Sequence, residues 1–234
     1  MKKILTTILL GLTALALHAG PTDVVCGPWI SDVSQTSFTV NWITEGNTLS
    51  WVEAGEDDGS VFYSSKKKQY YQTVAGKRMT GARHSVKVYG LKPGTKYVYR
   101  VCSKRVADES SAYHMKYGSQ QADKKKYTVR TLDHTAPVCT FAIVSDIHAR
   151  DDHFKALTAG LQPDSLDFFV VNGDLVSQIY DIDKTVHHAV DPIQPLVANL
   201  PYMYVRGNHE GRGNAHYQLS DIFPMRERDG WYYT

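Results

Sequence analysis

Thr140-Phe-Ala-Ile-Val144-Ser-Asp146-Ile-His148 decides the fold of the second half of this chain: an almost continuously apolar run of strand length ends in an aspartate and a histidine two residues apart. A run without polar alternation is expected of a parallel-sheet strand buried on both faces. Downstream, Asp151 to Leu161 has helical potential, with Phe154, Leu157 and Leu161 on one stripe. A second apolar run, Asp167 to Val171, ends at Asn172-Gly173-Asp174. Thr185 to Leu200 is a weaker helical stretch interrupted by Pro192 and Pro195, and Tyr202 to Val205 is a third strand ending in Arg206-Gly207-Asn208-His209-Glu210. The order β-α-β-α-β predicts a parallel sheet with right-handed crossovers.

In open parallel sheets the carboxyl ends of the strands share one edge, where ligands collect. Asp146 and His148 follow strand one, Asp174 strand two, and Asn208 to Glu210 strand three, so the three polar clusters are expected at one rim. Asp146 and Asp174 offer oxygens for hard or borderline cations, and His148 adds a nitrogen that favours zinc, iron or manganese over calcium. Asp174 has two oxygens and can bridge two ions. Each element alone is common, since an aspartate at a strand end usually caps a helix, but all three in order after apolar strands argue for a metal site. Arg206 and Arg212 flank the last cluster, where either can steady phosphate charge; a surface arginine is the simpler reading of each.

Upstream, from Val24 to Thr131, the pattern is all β. Phe38, Val40 and Trp42 alternate with Thr39 and Asn41, and short runs recur at Trp51 to Ala54, Ser85 to Tyr89, Tyr97 to Cys102 and Tyr127 to Thr131. In Leu91-Lys-Pro-Gly-Thr-Lys-Tyr97-Val-Tyr99-Arg-Val101, Pro93-Gly94 turns the chain and the Tyr97 hydroxyl can return to nearby backbone, as in the tyrosine corner of sandwich folds. This stretch resembles a fibronectin type III module, which implies an antiparallel sandwich and says little about function. Lys66 to Lys68 and Lys124 to Lys126 are expected on solvated loops, and Tyr63, Tyr70 and Tyr71 as half-buried sheet residues rather than a sugar platform.

Residues 140 to 234 resemble the first half of a calcineurin-like metallophosphoesterase domain, and with the preceding sandwich the arrangement is similar to bacterial relatives of the purple acid phosphatases. The resemblance implies two metal ions (iron, zinc or manganese) and a phosphate-ester substrate. It assigns Asp146 and His148 to the first metal, Asp174 to the bridge and Asn208 to the second metal. His209, oriented by Glu210, would hydrogen-bond the substrate phosphate or protonate the leaving oxygen. The domains implied are a signal peptide at 1–20, a fibronectin type III-like or purple acid phosphatase N-terminal-like domain at 24–131, and the N-terminal half of a phosphoesterase domain at 138–234.

Two departures qualify the resemblance. Gly173-Asp-Leu-Val-Ser177 has Ser177 where the purple enzymes place an iron-binding tyrosine, so a tyrosinate–iron centre is not expected. The family also completes its site with a later histidine and a GHxH loop. After Glu210 there is one further histidine, His216, in a context that reads as a loop or helix start; His153, His187 and His188 fall in helices or connections. Trp231-Tyr-Tyr-Thr234 reads as the start of another strand, and a premature end is the simplest expectation, leaving a half-domain with an uncovered apolar face. Two function classes follow: an exported metal-dependent phosphoesterase using a two-metal-activated water, or an inactive remnant whose sandwich acts as an interaction module.

At the N-terminus, Lys2 and Lys3 precede an apolar stretch from Ile4 to Leu17 and small residues at Ala14, Ala16, Ala19 and Gly20, the layout of a cleaved secretory leader. A secreted or periplasmic protein without a membrane anchor after cleavage is expected. Losing Lys2 and Lys3 would balance acidic and basic side chains, so no nucleic-acid-binding surface is evident. With 234 residues, 42% hydrophobic and 21% charged, the chain has room for two globular domains. Cys26, Cys102 and Cys139 permit one disulfide of unassigned pairing or three free thiols. Composition leaves the oligomeric state and the choice of ester open.

Overall fold

The computed structural model describes residues 20–62, 67–108, 110 and 115–223, together with the backbone of 226–228 and 231–233. The leader at 1–19, Tyr63 and Lys66 lie outside the described residues. Among the described residues, no helix is long and apolar enough to cross a membrane.

The first domain consists of β1 (Val24–Ser31), β2 (Ser37–Glu56), β3 (Lys68–Tyr71), β4 (Thr73–Val74), β5 (Lys77–Arg78), β6 (Thr80–Tyr89), β7 (Lys96–Asp108), β8 (Lys116–Ala122) and β9 (Tyr127–Arg130). The runs at Phe38 to Trp42 and Trp51 to Ala54, read as separate strands, are one continuous strand. Its first half pairs with β1 and β6, and its second half with β3 and β7. The strand turns without a loop because polar groups line the corner: the Thr44, Thr48 and Ser50 hydroxyls gather at 3.0, 3.0 and 3.2 Å from Nε2 of the buried His84. Both halves send side chains into one core containing Phe38, Val40, Trp42, Val52, Val86 and Tyr99. Tyr97 makes the expected corner, its hydroxyl accepting from the Lys92 amide at 2.9 Å. Tyr70 is buried and Tyr71 stacks on Trp51, which leaves no exposed aromatic platform between them. Lys124, Lys125 and Lys126 are exposed.

After the exposed linker at 132–140 come β10 (Phe141–Val144), α1 (Asp151–Thr158), β11 (Phe168–Asn172), α2 (Ile182–Val190), α3 (Gln194–Val197) and β12 (Tyr202–Val205). The three strands form a parallel sheet in the order β10-β11-β12. Helix α1 ends at Thr158, short of Leu161, and its buried stripe is Phe154 and Thr158; Leu157 points outward and is 52% exposed. The second helical stretch begins three residues before the expected Thr185, because Asp181 caps it by accepting from the Asp183 and Lys184 amides at 3.0 and 3.2 Å. Pro192 and Pro195 divide the remainder into a 3₁₀ turn and α3.

Strand β10 is not buried on both faces. Ala142 and Val144 pack with Phe169, Val171, Tyr202 and Tyr204 against the helices, whereas Phe141 and Ile143 on the opposite face are 51% and 54% exposed. Among the described residues, helical side chains such as Phe154, Val186 and Val197 pack in the core on the Ala142 and Val144 side, and the apolar character of the run extends to a face left uncovered. A cavity of about 650 Å³ separates part of that face, at Phe168 and Met203, from Leu132, Ala136 and Val138 of the linker. A short helix, α4 (Leu219–Ile222), leads to the hairpin β13 (Arg226–Arg228) and β14 (Trp231–Tyr233), so the expected terminal strand forms.

The domains share packing. Cys26, Trp29 and Ile43 from the sandwich belong to the same core as α2, α3 and the parallel sheet, and Ile30 bridges to Pro201 just before β12. The Tyr99 hydroxyl donates to the Ala198 carbonyl at 2.6 Å, and the Thr128 amide to Asn199 Oδ1 at 2.8 Å. These contacts fix the rim of the parallel sheet relative to β1.

Candidate metal centre

The segments leaving β10 and β11 run side by side beyond the strands. Amides of Asp146, His148 and Ala149 donate to carbonyls of Gly173, Asp174 and Leu175 at 3.2, 3.0 and 2.6 Å. To do so the chain adopts left-handed backbone at four non-glycine residues, Asp146 (φ 58°), His148 (52°), Ala149 (56°) and Asp174 (54°). Such conformations cost about 1–3 kcal/mol each and concentrate at functional sites. Neither aspartate caps a helix: the residue before α1 is Arg150, which makes no side-chain cap, and the cap of α2 is Asp181.

Glu210 is fully buried, and its four partners account for the junction. Oε2 accepts from the amides of Gly207 at 2.8 Å and Asp174 at 3.0 Å; Oε1 accepts from the Val176 amide at 3.2 Å and the Tyr204 hydroxyl at 2.8 Å. Burial, and then the Glu210 carboxylate, pushes the Tyr204 phenol well above its ordinary pKa, which keeps it a donor. The expected role of Glu210, holding the His209 ring, is therefore corrected: both of its oxygens are taken by backbone amides and a tyrosine, and it positions the Asp174 and Gly207 turns instead.

His209 is placed by other groups. Its amide donates to Asp174 Oδ1 at 3.0 Å, and its Nδ1 lies 3.1 Å from the Ser177 carbonyl and 3.2 Å from Arg212 Nη1. A proton on Nδ1 donated to that carbonyl leaves Nε2 as the free lone pair. The His148 and His209 rings meet edge to face, 4.7 Å between centroids. Ser177 touches both, since its Oγ is 3.4 Å from His148 Nδ1. In the sequence Ser177 stands only where a tyrosine is missing; the GDxxY spacing is the signal that this position faces the site.

His148, Asp174 and His209 each present a ligand atom, all within 4.8 Å of one another. An imidazole and a carboxylate, from His148 and Asp174, suit zinc, iron or manganese with positions left open on the exposed side, and a ring nitrogen of His209 stands close enough to meet a group bound to such an ion. Asp146 and Asn208 are on the same rim but exposed, and the Asp146 carboxylate is not part of the three-donor group. Arg212 stands beside His209, its Nη1 3.2 Å from Nδ1, and Arg206 is exposed at the end of β12. His216 starts a 3₁₀ turn and returns its Nδ1 to the Gly213 carbonyl at 2.8 Å. His187 and His188 pair with Asp191 and Asp151, so none of these three joins the cluster. His153 lies exposed on α1.

Residues 28–131 match the family model described as the N-terminal domain of purple acid phosphatases, and residues 139–233 match calcineurin-like phosphoesterases. The chain joins a purple acid phosphatase N-terminal domain to a calcineurin-like phosphoesterase domain. The chain is 28% identical over 209 residues to acid phosphatase type 7 of Homo sapiens, an alignment covering 84% of this chain and 42% of that protein. A solved structure of PhoD shares the fold at a TM-score of 0.51 and 14% identity, covering 87% of this chain and 42% of that one. The chain therefore spans less than half the length of either relative.

Proposed function

We propose that this chain carries the metal-binding rim of an exported phosphatase that hydrolyses phosphate esters with two metal ions. The observation that carries the reading is the convergence of His148, Asp174 and His209 beyond the strand ends, the first two held in left-handed backbone. Two bound ions supply Lewis acidity to phosphoryl oxygens and lower the pKa of an attacking water. His148, Asp174 and Asp146 would hold one ion, and Asp174 with the Asn208 amide oxygen a second. His209, with Nδ1 tied back to Ser177, directs Nε2 at a phosphate oxygen and delivers the leaving-group proton. Arg212 sits beside it and offsets phosphate charge. The apolar stretch from Ile4 to Leu17 supports export.

A second reading, an interaction module without turnover, is favoured by the open apolar face at Phe141 and Ile143. One assay separates the two. The purified chain is loaded with manganese, zinc or iron and given p-nitrophenyl phosphate and bis-p-nitrophenyl phosphate, with Asp174→Ala and His209→Ala as controls. Metal-dependent hydrolysis lost in both variants supports the phosphatase. A rate no higher than the controls removes catalysis by this chain.

A further inference from the structure

A second group of metal-ligand types lies where the sandwich meets α2. Cys26 of β1, His187 of α2 and Asp191 at the end of that helix place Sγ, an imidazole nitrogen and a carboxylate oxygen all within 4.8 Å of one another. His187 and Asp191 are one helical turn apart on the same face, Nδ1 to Oδ2 2.6 Å. Cys26 is 2% exposed, and the Val186 carbonyl lies 4.0 Å from its Sγ. The rim cluster contains none of these residues.

As hydrophobe and surface ion pair the three residues would be unremarkable separately. Their convergence is more than either role needs, since the weak S–H donor of a buried thiol requires one acceptor and not an imidazole and a carboxylate together. Burial, and then the Asp191 and Asp183 carboxylates, pushes the Cys26 thiol up and keeps it protonated in the absence of a cation. A divalent cation reverses that preference: thiolate and carboxylate together cancel its charge, which suits a half-buried place. Asp183 is already paired with Arg83 at 2.8 Å. One thiolate, one imidazole and one carboxylate are the borderline donors that select zinc over magnesium or calcium. Zinc–ligand bonds of about 2.0–2.3 Å put tetrahedral donors roughly 3.3–3.7 Å apart, so small side-chain movements close the site. A cavity of about 770 Å³ lined by Cys26 and Asp191 provides entry and room for a water as fourth ligand.

We infer that Cys26, His187 and Asp191 form a mononuclear zinc site that clamps β1 of the sandwich to α2 of the phosphoesterase domain. Binding releases the Cys26 thiol proton to solvent and closes a three-residue link between the domains, separate from the rim where esters are handled.

Cobalt(II) reports this site selectively, because a thiolate ligand adds a near-ultraviolet charge-transfer band that the thiol-free rim cluster cannot give. The full reduced chain, titrated with cobalt, is expected to develop the band with one equivalent and to lose it when zinc is added. Cys26→Ser abolishes it, while His187→Ala and Asp191→Asn, at partly exposed positions that leave the fold intact by circular dichroism, weaken cobalt binding at least about tenfold. Asp174→Asn, His209→Ala and Cys139→Ser retain the band, so loss of phosphatase activity would not bear on it. Absence of the band in the unaltered chain, its survival in Cys26→Ser, or its loss in Cys139→Ser overturns the inference.

Discussion

Gly173 and Gly207 meet backbone to backbone: a Cβ placed on Gly173 would stand 2.7 Å from the Gly207 Cα. One placed on Gly207 would overlap Asp174 Oδ1 and lie 2.6 Å from the Asp174 amide nitrogen. The two turns that carry Asp174 and Asn208 can approach only because both lack side chains. Gly207→Ala is therefore expected to destabilise the domain by about 1–3 kcal/mol and to lower metal content. Denaturant unfolding and elemental analysis of the purified variant check both; a variant that unfolds and binds metal like the parent would remove the argument.

Glu210 predicts a larger effect from a smaller change. Glu210→Gln conserves shape but sets an amide NH₂ against groups that all donate. A loss of about 3 kcal/mol or more is expected, since a charge-assisted acceptor becomes a clash of donors in a buried place. Tyr204→Phe removes one donor and is expected to cost about 1 kcal/mol. Thermal melts of the two variants compare them directly.

His209 and Asp174 should divide metal binding from turnover. His209→Ala is expected to keep its metal and lose about 10²–10⁴-fold in kcat, the range for a lost acid–base group. Asp174→Ala should lose metal as well. Elemental analysis beside steady-state kinetics tests this, and loss of metal in His209→Ala would make that residue a ligand instead.

His84 makes the sandwich acid-sensitive. Burial lowers its pKa from 6.5 to about 4, so the folded state holds it neutral while the unfolded chain takes up a proton as pH falls below 6.5. Its stabilising contribution is complete above that value, declines as pH falls, and is gone near the folded pKa, a loss of about 3 kcal/mol. Denaturation free energies at several pH values between 7.5 and 4 should show this slope, and His84→Gln should flatten it.

Tyr99 reports on the domain junction. Tyr99→Phe leaves the Ala198 carbonyl buried without its 2.6 Å donor and is expected to cost about 1–3 kcal/mol. Urea denaturation followed by tryptophan fluorescence gives the figure.

Much of this was readable from pattern. Alternation at Phe38 to Trp42, the turn before Tyr97 and the β-α-β-α-β order are local signals, and the structure contains the elements they describe. The misreadings share a cause. Apolar continuity at Phe141 to Val144 cannot say whether a face is covered, because that depends on which side the helices take. The two expected strands at Phe38 and Trp51 merge because hydroxyls around His84, 34 to 40 residues away along the chain, satisfy the corner. Likewise, Asp181 caps α2 before any apolar periodicity begins.

By itself, the amino-acid sequence determined which residue types end each parallel strand, and so placed Asp146, His148, Asp174 and the Asn208 to Glu210 cluster at one rim. Strand direction and the polar punctuation of apolar runs are encoded locally, and that was sufficient. What each side chain does there was decided only by tertiary structure. Glu210 became the organiser of three backbone amides, Ser177 came between two histidines, and Cys26 reached His187 and Asp191, 161 and 165 positions along the sequence. Hydrogen-bond partners and ligand distances depend on how turns from separate strands pack, and nothing within one segment specifies them.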